Sequence, residues 1–210
     1  MGETVLHDYW RSSAAYRVRI VLNLKGVRWR SNPLDLVGGE HKRDDYHSLN
    51  PQELVPTLEI DGHVLTQSLA IIDYLDATHP EPPMVSSDPA RRARTLAQAL
   101  IIAADIHPVQ NMRILNALRS DFGASEEQVR LWVQRWIASG FAALEETAPD
   151  AGLFGGETPD LADICLVPQM YNARRFEVDL TPYPRLVRID AAARALDPVA
   201  RAAPEAVRPN

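Results

Sequence analysis

The chain reads NPQELVPTLEIDGHVLTQS from residue 50 to residue 68, and this stretch decides the fold. Thr57–Ile60 and His63–Thr66 flank Asp61-Gly62, a dipeptide that favours the tight turn of a β-hairpin, so we predict two antiparallel strands. Val55-Pro56 comes directly before the first strand. An X-Pro bond at this place is a candidate cis peptide, although only ~5% of such bonds are cis. A cis bond would turn the backbone N–H and C=O of Val55 outward, where an extended peptide could pair with them.

The residues before and after the hairpin alternate between strand and helix patterns. We predict a strand over residues 5–9, a helix over 14–25 that Gly26 ends, a weaker strand over 29–36, and a partly helical polar segment over 38–49. After the hairpin, residues 69–77 predict a helix. The first 80 residues therefore have the order β-α-β-α-β-β-α.

The rest of the chain predicts helices only. Residues 78–89 carry four prolines, and we predict a linker over 81–88 between a first domain over 1–80 and an all-helical domain over 89–210. We expect a helix over 89–119 with a kink at Pro108, a long helix over 126–146, and a last one over 184–196. Asp160 and Asp163 predict a capping box that opens a helix ending near Phe176.

Composition excludes several classes of protein. The formal charge of −6 disfavours a nucleic-acid partner, and 46% apolar residues suffice for a packed core. Cys165 is the single cysteine, so no intrachain disulfide, cysteine-based zinc site or redox pair is expected, and no metal. The longest apolar run, residues 99–104, is too short to cross a bilayer, and residues 1–4 lack a signal-peptide pattern, so we expect a cytoplasmic protein.

Three short stretches carry groups that could bind a small anionic peptide. Ser12 and Ser13 stand at the start of the first predicted helix, where hydroxyls and free amides stabilise an anion such as a thiolate. Gln67 and Ser68 stand at the start of another helix, where a carboxylate could bind. Taken alone, serine at either place is more often an ordinary N-cap. Together with Val55, these stretches predict a site for a short peptide that has a thiol at one end and a carboxylate at the other.

Several motifs together resemble the zeta class of the glutathione transferase family. They are RSSAAYRVRI over residues 11–20, the stretch over 50–58, QSLAII over 67–72, LVPQ over 166–169 and DLTPYP over 179–184. The resemblance covers nearly the whole chain. It implies an α/β thioredoxin-like N-terminal domain that binds glutathione, an all-α C-terminal domain that forms most of the acceptor pocket, and a homodimer.

The resemblance also implies roles for individual residues. Ser12 and Ser13 would face the glutathione sulfur, the Val55-Pro56 turn would pair with the cysteinyl backbone, and Gln67 and Ser68 would take the γ-glutamyl end. His41 or Lys42 would approach the glycyl carboxylate. Zeta-class proteins usually carry a cysteine after the two serines, where this chain has Ala14, which puts any role for a protein thiol there in doubt. Cys165 falls in an apolar stretch and is expected to be an inert core residue.

Arginines are the expected contacts of a substrate with two carboxylates. Arg11 lies at the mouth of the glutathione turn, and Arg175 matches the substrate arginine of the family, while its neighbour Arg174 is expected to be solvated. His107 and Asn111 are expected on one helix face beside Pro108, as contacts of glutathione or substrate. Arg113 would need the kink, or a partner subunit, to join them.

The activity that the resemblance implies is glutathione-dependent cis–trans isomerisation of maleylacetoacetate to fumarylacetoacetate, in the catabolism of tyrosine and phenylalanine. Maleylpyruvate is the alternative substrate, and the sequence barely separates the two. A generic glutathione transferase is a further alternative. The alternative from a different functional class is a non-catalytic interaction module with the same fold. The chain retains the serines, Val55-Pro56 and Gln67-Ser68, which argues against this alternative.

Overall fold

A computed structural model describes residues 3–209 of the chain. They form two compact units, the first made of residues 3–83 together with 195–209, and the second of Met84–Arg194. Residues 195–209, which the sequence assigns to the helical domain, therefore belong to the first unit. Within residues 3–209, no helix combines the length and the apolar character needed to cross a membrane.

The first unit is built on a four-stranded sheet with the order β2-β1-β3-β4. The strands are β1 (Val5–Asp8), β2 (Arg30–Pro33), β3 (Thr57–Ile60) and β4 (His63–Thr66). β2 runs parallel to β1, whereas β3 is antiparallel to both β1 and β4. The helices are α1 (Ser13–Leu24), α2 (Asp44–Leu49) and α3 (Ser68–Thr78), and a 3-10 turn spans Glu40–Lys42. The predicted β-α-β-α-β-β-α order is confirmed.

The β3–β4 hairpin forms as the sequence predicts. Ile60 pairs with His63, which leaves Asp61 and Gly62 as a two-residue turn with φ values of 52° and 80°. Two successive positive φ angles define the turn type that matches the twist of a hairpin, and Asp-Gly adopts it readily. The turn fixes the register of β3 against β4.

Residues 195–209 join the first unit through α1. They contain the short helices α9 (Asp197–Ala200) and α10 (Pro204–Val207). Val199 and Ala202 are buried, and the Asn23 side chain donates a hydrogen bond to the Pro198 carbonyl at 2.9 Å. Burial against α1 explains why this segment leaves the helical domain that precedes it in sequence.

The second unit is helical. Its α-helices are α4 (Pro89–Leu100), α5 (Met112–Ser120), α6 (Glu126–Thr147), α7 (Leu161–Arg175) and α8 (Pro184–Arg194). The predicted capping box of α7 is present, since Asp160 accepts hydrogen bonds from the N–H groups of Ala162 and Asp163, and Asp163 accepts the Asp160 N–H.

The prediction of a single kinked helix over residues 89–119 is wrong. After α4 the chain forms a π-helix over Ile101–Ile106 and a 3-10 turn over Pro108–Gln110, and α5 then starts anew at Met112. Pro108 has no N–H to continue the ladder. Asn111 instead caps α5, because its side-chain oxygen accepts the Arg113 N–H at 3.1 Å.

Candidate active site

The predicted thiolate turn connects β1 to α1. Ser12 is the N-cap of α1, and its Oγ accepts the Ala15 N–H at 3.2 Å, while its own N–H donates to the Tyr9 carbonyl at 2.8 Å. The Ser12 oxygen is thus used as a cap, but its hydroxyl proton can still be donated to an anion. Ser13 is the first residue of the helix and is buried. The cap role and the ligand role are therefore compatible for Ser12.

Arg11 is held by the two aromatic residues before it. Its Nη2 donates to the Tyr9 hydroxyl at 2.9 Å, and its Cζ lies 4.7 Å from the centre of the Trp10 ring. A guanidinium over an aromatic face is attracted by the ring quadrupole. Arg11 is consequently oriented by the fold, a support that the sequence analysis does not foresee.

All three predicted stretches meet at one edge of the sheet. β1 ends at Asp8, and the pairing of His7 with Thr57 and of Thr57 with Thr66 places the start of β3 and the end of β4 beside it. The turn with Ser12 follows β1, Val55-Pro56 precedes β3, and Gln67-Ser68 follows β4. The parallel strand β2 ends at the same edge, because Pro33 pairs with Asp8, and it leads into the loop with His41. The sheet topology thus brings together Ser12 and Ser68, which are 56 positions apart in sequence.

The Val55-Pro56 bond is cis, as predicted. In the part of the chain that the structure describes, neither the N–H nor the C=O of Val55 bonds to another backbone group. The loop around it is fixed from behind, because the Tyr46 hydroxyl and the Asn50 amide both donate to the Leu54 carbonyl, at 2.6 and 2.7 Å. Val55 therefore offers a backbone donor and acceptor from a rigid loop.

Gln67 and Ser68 open α3 in an unusual conformation. Gln67 has φ 66° and ψ 115°, and its side chain bonds to Gln52 at 2.6 Å instead of capping the helix. Non-glycine residues at positive φ are costly and cluster at ligand sites. The first amides of α3 thus have no side-chain cap, which suits them to hold a carboxylate.

Arg17, which the sequence analysis does not single out, is the buried cation next to this helix start. It is 1% exposed and its Nη1 lies 3.4 Å from the Ser68 Oγ. Arg17 stands one helical turn after Ser13 on α1. Its positive charge adjoins the place where the resemblance implies a carboxylate.

His41 and Lys42 lie on the 3-10 turn after β2. Burial, and next the charge of Lys42, lower the pKa of His41, so the neutral imidazole is favoured there. Lys42 is exposed. Both residues therefore lie on the loop where the resemblance implies the glycyl end of glutathione.

The candidates around Pro108 do not share one helix face, which corrects the expectation for His107 and Asn111. His107 ends the π-helix, and Asn111 uses its side chain to cap α5. Arg113 is exposed in the first turn of α5. Because the helix is interrupted at Pro108, the spacing rules of a continuous helix do not apply to these residues.

Arg174 is exposed, as expected, but it also forms an ion pair that the sequence does not indicate. Its Nη2 pairs with Asp190 Oδ2 at 2.5 Å, and Asp190 is fully buried. Arg175, the last residue of α7, is exposed with its guanidinium 4.7 Å from the Phe176 ring centre. Of the two neighbours, Arg174 is the structural residue, and Arg175 presents its cation at the surface of the second unit.

Comparison with known proteins gives the family. Residues 6–83 match the family model of the glutathione S-transferase N-terminal domain. A maleylacetoacetate isomerase of Rhizobium meliloti is 47% identical over 99% of this chain and 99% of its own length. The chain belongs to the zeta-class glutathione transferase family.

Two solved relatives show how far the likeness extends. A bacterial maleylpyruvate isomerase described as a zeta-class enzyme matches with a TM-score of 0.94 and 46% identity, over 97% of this chain and 98% of that one. A maleylacetoacetate isomerase of Anaeromyxobacter dehalogenans matches with a TM-score of 0.86 and 40% identity, over 98% and 93%. The latter was solved with dicarboxyethyl glutathione and citrate in its active site. The zeta-class fold, with its thioredoxin-like first domain, is thus confirmed.

Proposed function

We propose that this protein is a glutathione-dependent isomerase that converts maleylacetoacetate to fumarylacetoacetate. The observation that carries the proposal is the single sheet edge at which Ser12, Val55 and Ser68 meet, each with donors that suit one part of glutathione. Relatives of near-equal length and 40–47% identity that carry isomerase names support it.

The residues of the first unit fit glutathione. The uncapped start of α3, with Gln67, Ser68 and the buried cation of Arg17, suits the γ-glutamyl carboxylate. The unbonded backbone groups of Val55 suit the cysteinyl residue. The start of α1 suits a sulfur anion, and His41 or Lys42 is placed on the loop that we assign to the glycyl end.

When bound, glutathione supplies a thiolate nucleophile, whose reversible addition to the cis double bond allows rotation to the trans form. The protein's part is to stabilise the negative charges. The Ser12 hydroxyl can donate a hydrogen bond to the sulfur, and the α1 N-terminus lowers the pKa of a thiol held there. No protein thiol is required at Ala14.

We assign the substrate carboxylates to Arg175 and Arg11. Both present guanidinium groups supported by aromatic rings, and a guanidinium matches a carboxylate in bidentate fashion. His107, Asn111 and Arg113 are assigned as further polar contacts of glutathione or substrate. The citrate in the Anaeromyxobacter dehalogenans relative is consistent with a site for polycarboxylates.

Maleylpyruvate remains the second candidate substrate, because relatives named for either activity are similarly identical to this chain. A generic transferase would use the same glutathione site with another acceptor. The non-catalytic interaction module is the least supported, since the site residues of the first unit are retained.

The decisive test is an isomerase assay with both substrates. Purified protein should convert the cis substrate only when glutathione is present, and the ratio of kcat/KM values identifies the physiological one. Failure with both substrates, accompanied by conjugation of a reactive acceptor, would favour the generic transferase. Absence of any glutathione binding would favour the interaction module.

We further propose a cytoplasmic, two-fold symmetric dimer that acts in tyrosine and phenylalanine catabolism. Glutathione is the abundant thiol of the reducing cytoplasm, and most soluble oligomers are cyclic dimers. Light scattering should give twice the 23.4 kDa of one chain.

A further inference from the structure

Trp10 lies in the turn between β1 and α1, two residues before Ser12, and three arginines contact it. The Arg19 Nη2 donates to the Trp10 carbonyl at 3.0 Å. The Cζ atoms of Arg11 and Arg208 lie 4.7 and 5.0 Å from the Trp10 ring centre. These arginines come from the turn itself, from α1 and from the end of the chain.

Arg19 joins the three parts of the chain directly. It is fully buried, and besides the Trp10 carbonyl it donates to Asp8 Oδ2 at 2.7 Å and to the Ala202 carbonyl at 3.0 Å. Asp8, itself buried, ends β1. The planar fork of a guanidinium can satisfy three such acceptors at once, whereas a lysine ammonium cannot reproduce that arrangement.

The C-terminal segment, residues 196–208, thus reaches the thiolate turn once directly, through Arg208, and once through Arg19 of α1. The Ala202 carbonyl accepts from Arg19, and six residues later Arg208 lies over the Trp10 ring. Arg201, the other arginine of the segment, does not share this role, since it is exposed and pairs with Asp197 one turn away. Arg208 therefore connects the segment to the turn that carries Arg11 and Ser12, in addition to its packing on α1.

We infer that the C-terminal segment is a positioning element of the glutathione site, acting through Arg19 and Arg208 on Trp10. By fixing both the carbonyl and the ring of Trp10, it holds Arg11 over the same ring and keeps Ser12 at the start of α1. This inference rests on the proposed function, because it takes the turn to be the place of the glutathione sulfur.

Calorimetric titration with glutathione tests it, with Arg208→Ala as the variant and Arg201→Ala as the matched control from the same segment. We expect Arg208→Ala to raise the Kd for glutathione about threefold to fivefold, the size of one lost cation–π contact. The kcat at saturating glutathione should stay within about twofold, which separates positioning from general damage. Arg201→Ala should bind as the wild type does.

A double-mutant cycle shows whether Arg208 acts through Trp10. Once Trp10→Leu has removed the ring, adding Arg208→Ala should cause no further loss of glutathione affinity. Arg19→Lys should weaken binding more than Arg208→Ala does. If Arg19→Lys does not fold, the Arg208 variants still decide the question.

Equal Kd values for the wild type, Arg208→Ala and Arg201→Ala would overturn the inference while leaving the proposed function intact. Additive losses in the double mutant would overturn the route through Trp10. A wild-type protein that binds no glutathione would remove the proposed function, and this inference with it.

Discussion

The two arginines that end α7 separate a substrate contact from a structural residue. We expect Arg175→Ala to lower kcat/KM for the cis substrate about 10- to 100-fold, because a charge-assisted pair is worth ~1.5–3 kcal/mol. Glutathione affinity should change by less than about threefold, since our assigned glutathione contacts lie mainly in the first unit. The assay is loss of the cis substrate. Arg135→Ala, which removes an exposed arginine of α6, is the control.

Arg174→Ala should instead reduce stability. It removes the closest partner of the fully buried Asp190 and leaves Arg194 at 3.7 Å. Breaking a buried pair costs ~3–5 kcal/mol, and because Arg174 is partly exposed we expect about 1–2 kcal/mol, measured by chemical denaturation. If Arg174→Ala lowers kcat/KM without a loss of stability, Arg174 contacts the substrate and our assignment of that role to Arg175 is wrong.

The loss in Arg174→Ala should grow with pH. Burial raises the pKa of Asp190, and Arg174 opposes this rise, so the variant should have a still higher pKa there. A carboxyl whose pKa is higher in the folded state stabilises the fold at low pH, and this stabilisation is lost as pH rises through that pKa. Denaturation at several pH values should therefore show the smallest difference from wild type in acid.

Single residues at the starts of elements are readily predicted from sequence. Ser12, Gln67 and Ser68 stand beside recognisable strand and helix patterns, and the structure places each one at the expected helix start. Arg174 and Arg17 were not foreseen, because Asp190 is 16 residues from Arg174 and Ser68 is 51 residues from Arg17. Such partners depend on tertiary packing, which a single sequence does not display.

At the scale of elements, α6 packs closely against the π-helix that leads to His107. A Cβ at Gly140 would lie 2.6 Å from Ile106 Cγ1, too close for a real contact. Gly140→Ala should gain ~1 kcal/mol of helix propensity and lose ~1–3 kcal/mol to overpacking, for a net loss of up to about 2 kcal/mol in denaturant.

Ile106→Val in the Gly140→Ala background provides the control. Removing the Cδ1 methyl should recover part of the loss, whereas in the wild type Ile→Val typically costs 0.5–1.5 kcal/mol. Equal cost in both backgrounds would show that the two residues do not compete for space.

The start of α7 carries a buried carboxyl whose protonation should affect stability. Burial, and next the charge of Asp160, raise the pKa of Asp163 to about 7. The folded state then holds this proton more tightly, so stability falls as pH rises from about 4 to about 7.

The variant Asp163→Asn tests this, because its side chain cannot titrate. The free energy of unfolding of the wild type minus that of Asp163→Asn should hence fall by about 2 kcal/mol between pH 5 and pH 8, measured by thermal or chemical denaturation. A difference that rises with pH would mean that the three backbone N–H bonds stabilise the charged carboxylate more than burial destabilises it.

Elements with strong end signals were predicted closely, and those without were not. Asp61-Gly62 and the Asp160 capping box gave the hairpin and the start of α7 correctly. The sequence predicts a kink at Pro108, because proline alone does not indicate whether a helix bends or ends. Asn111 decides it by capping a new helix.

At the scale of the whole molecule, the first unit includes both ends of the described chain. Sequence order alone places residues 195–209 with the helices that precede them. Their place in the first unit depends on Arg19 and Asn23, polar residues of α1 that bond to carbonyls of the segment. The first unit therefore completes its contacts only after the second unit has been synthesised.

This composition of the first unit determines how glutathione should stabilise the protein. A ligand at 100 times its Kd adds about 2.7 kcal/mol, which for a chain of this size raises Tm by roughly 5–10 °C. Scanning calorimetry with reduced glutathione should show the rise. Cysteinylglycine, which lacks the γ-glutamyl carboxylate assigned to Ser68, should produce little of it. If the units unfold separately, only the transition of the first unit should move. Arg208→Ala should reduce that shift, because its weaker affinity for glutathione lowers the stabilisation at a given ligand concentration. A shift confined to the second unit would place the glutathione site among the helices and contradict our assignment.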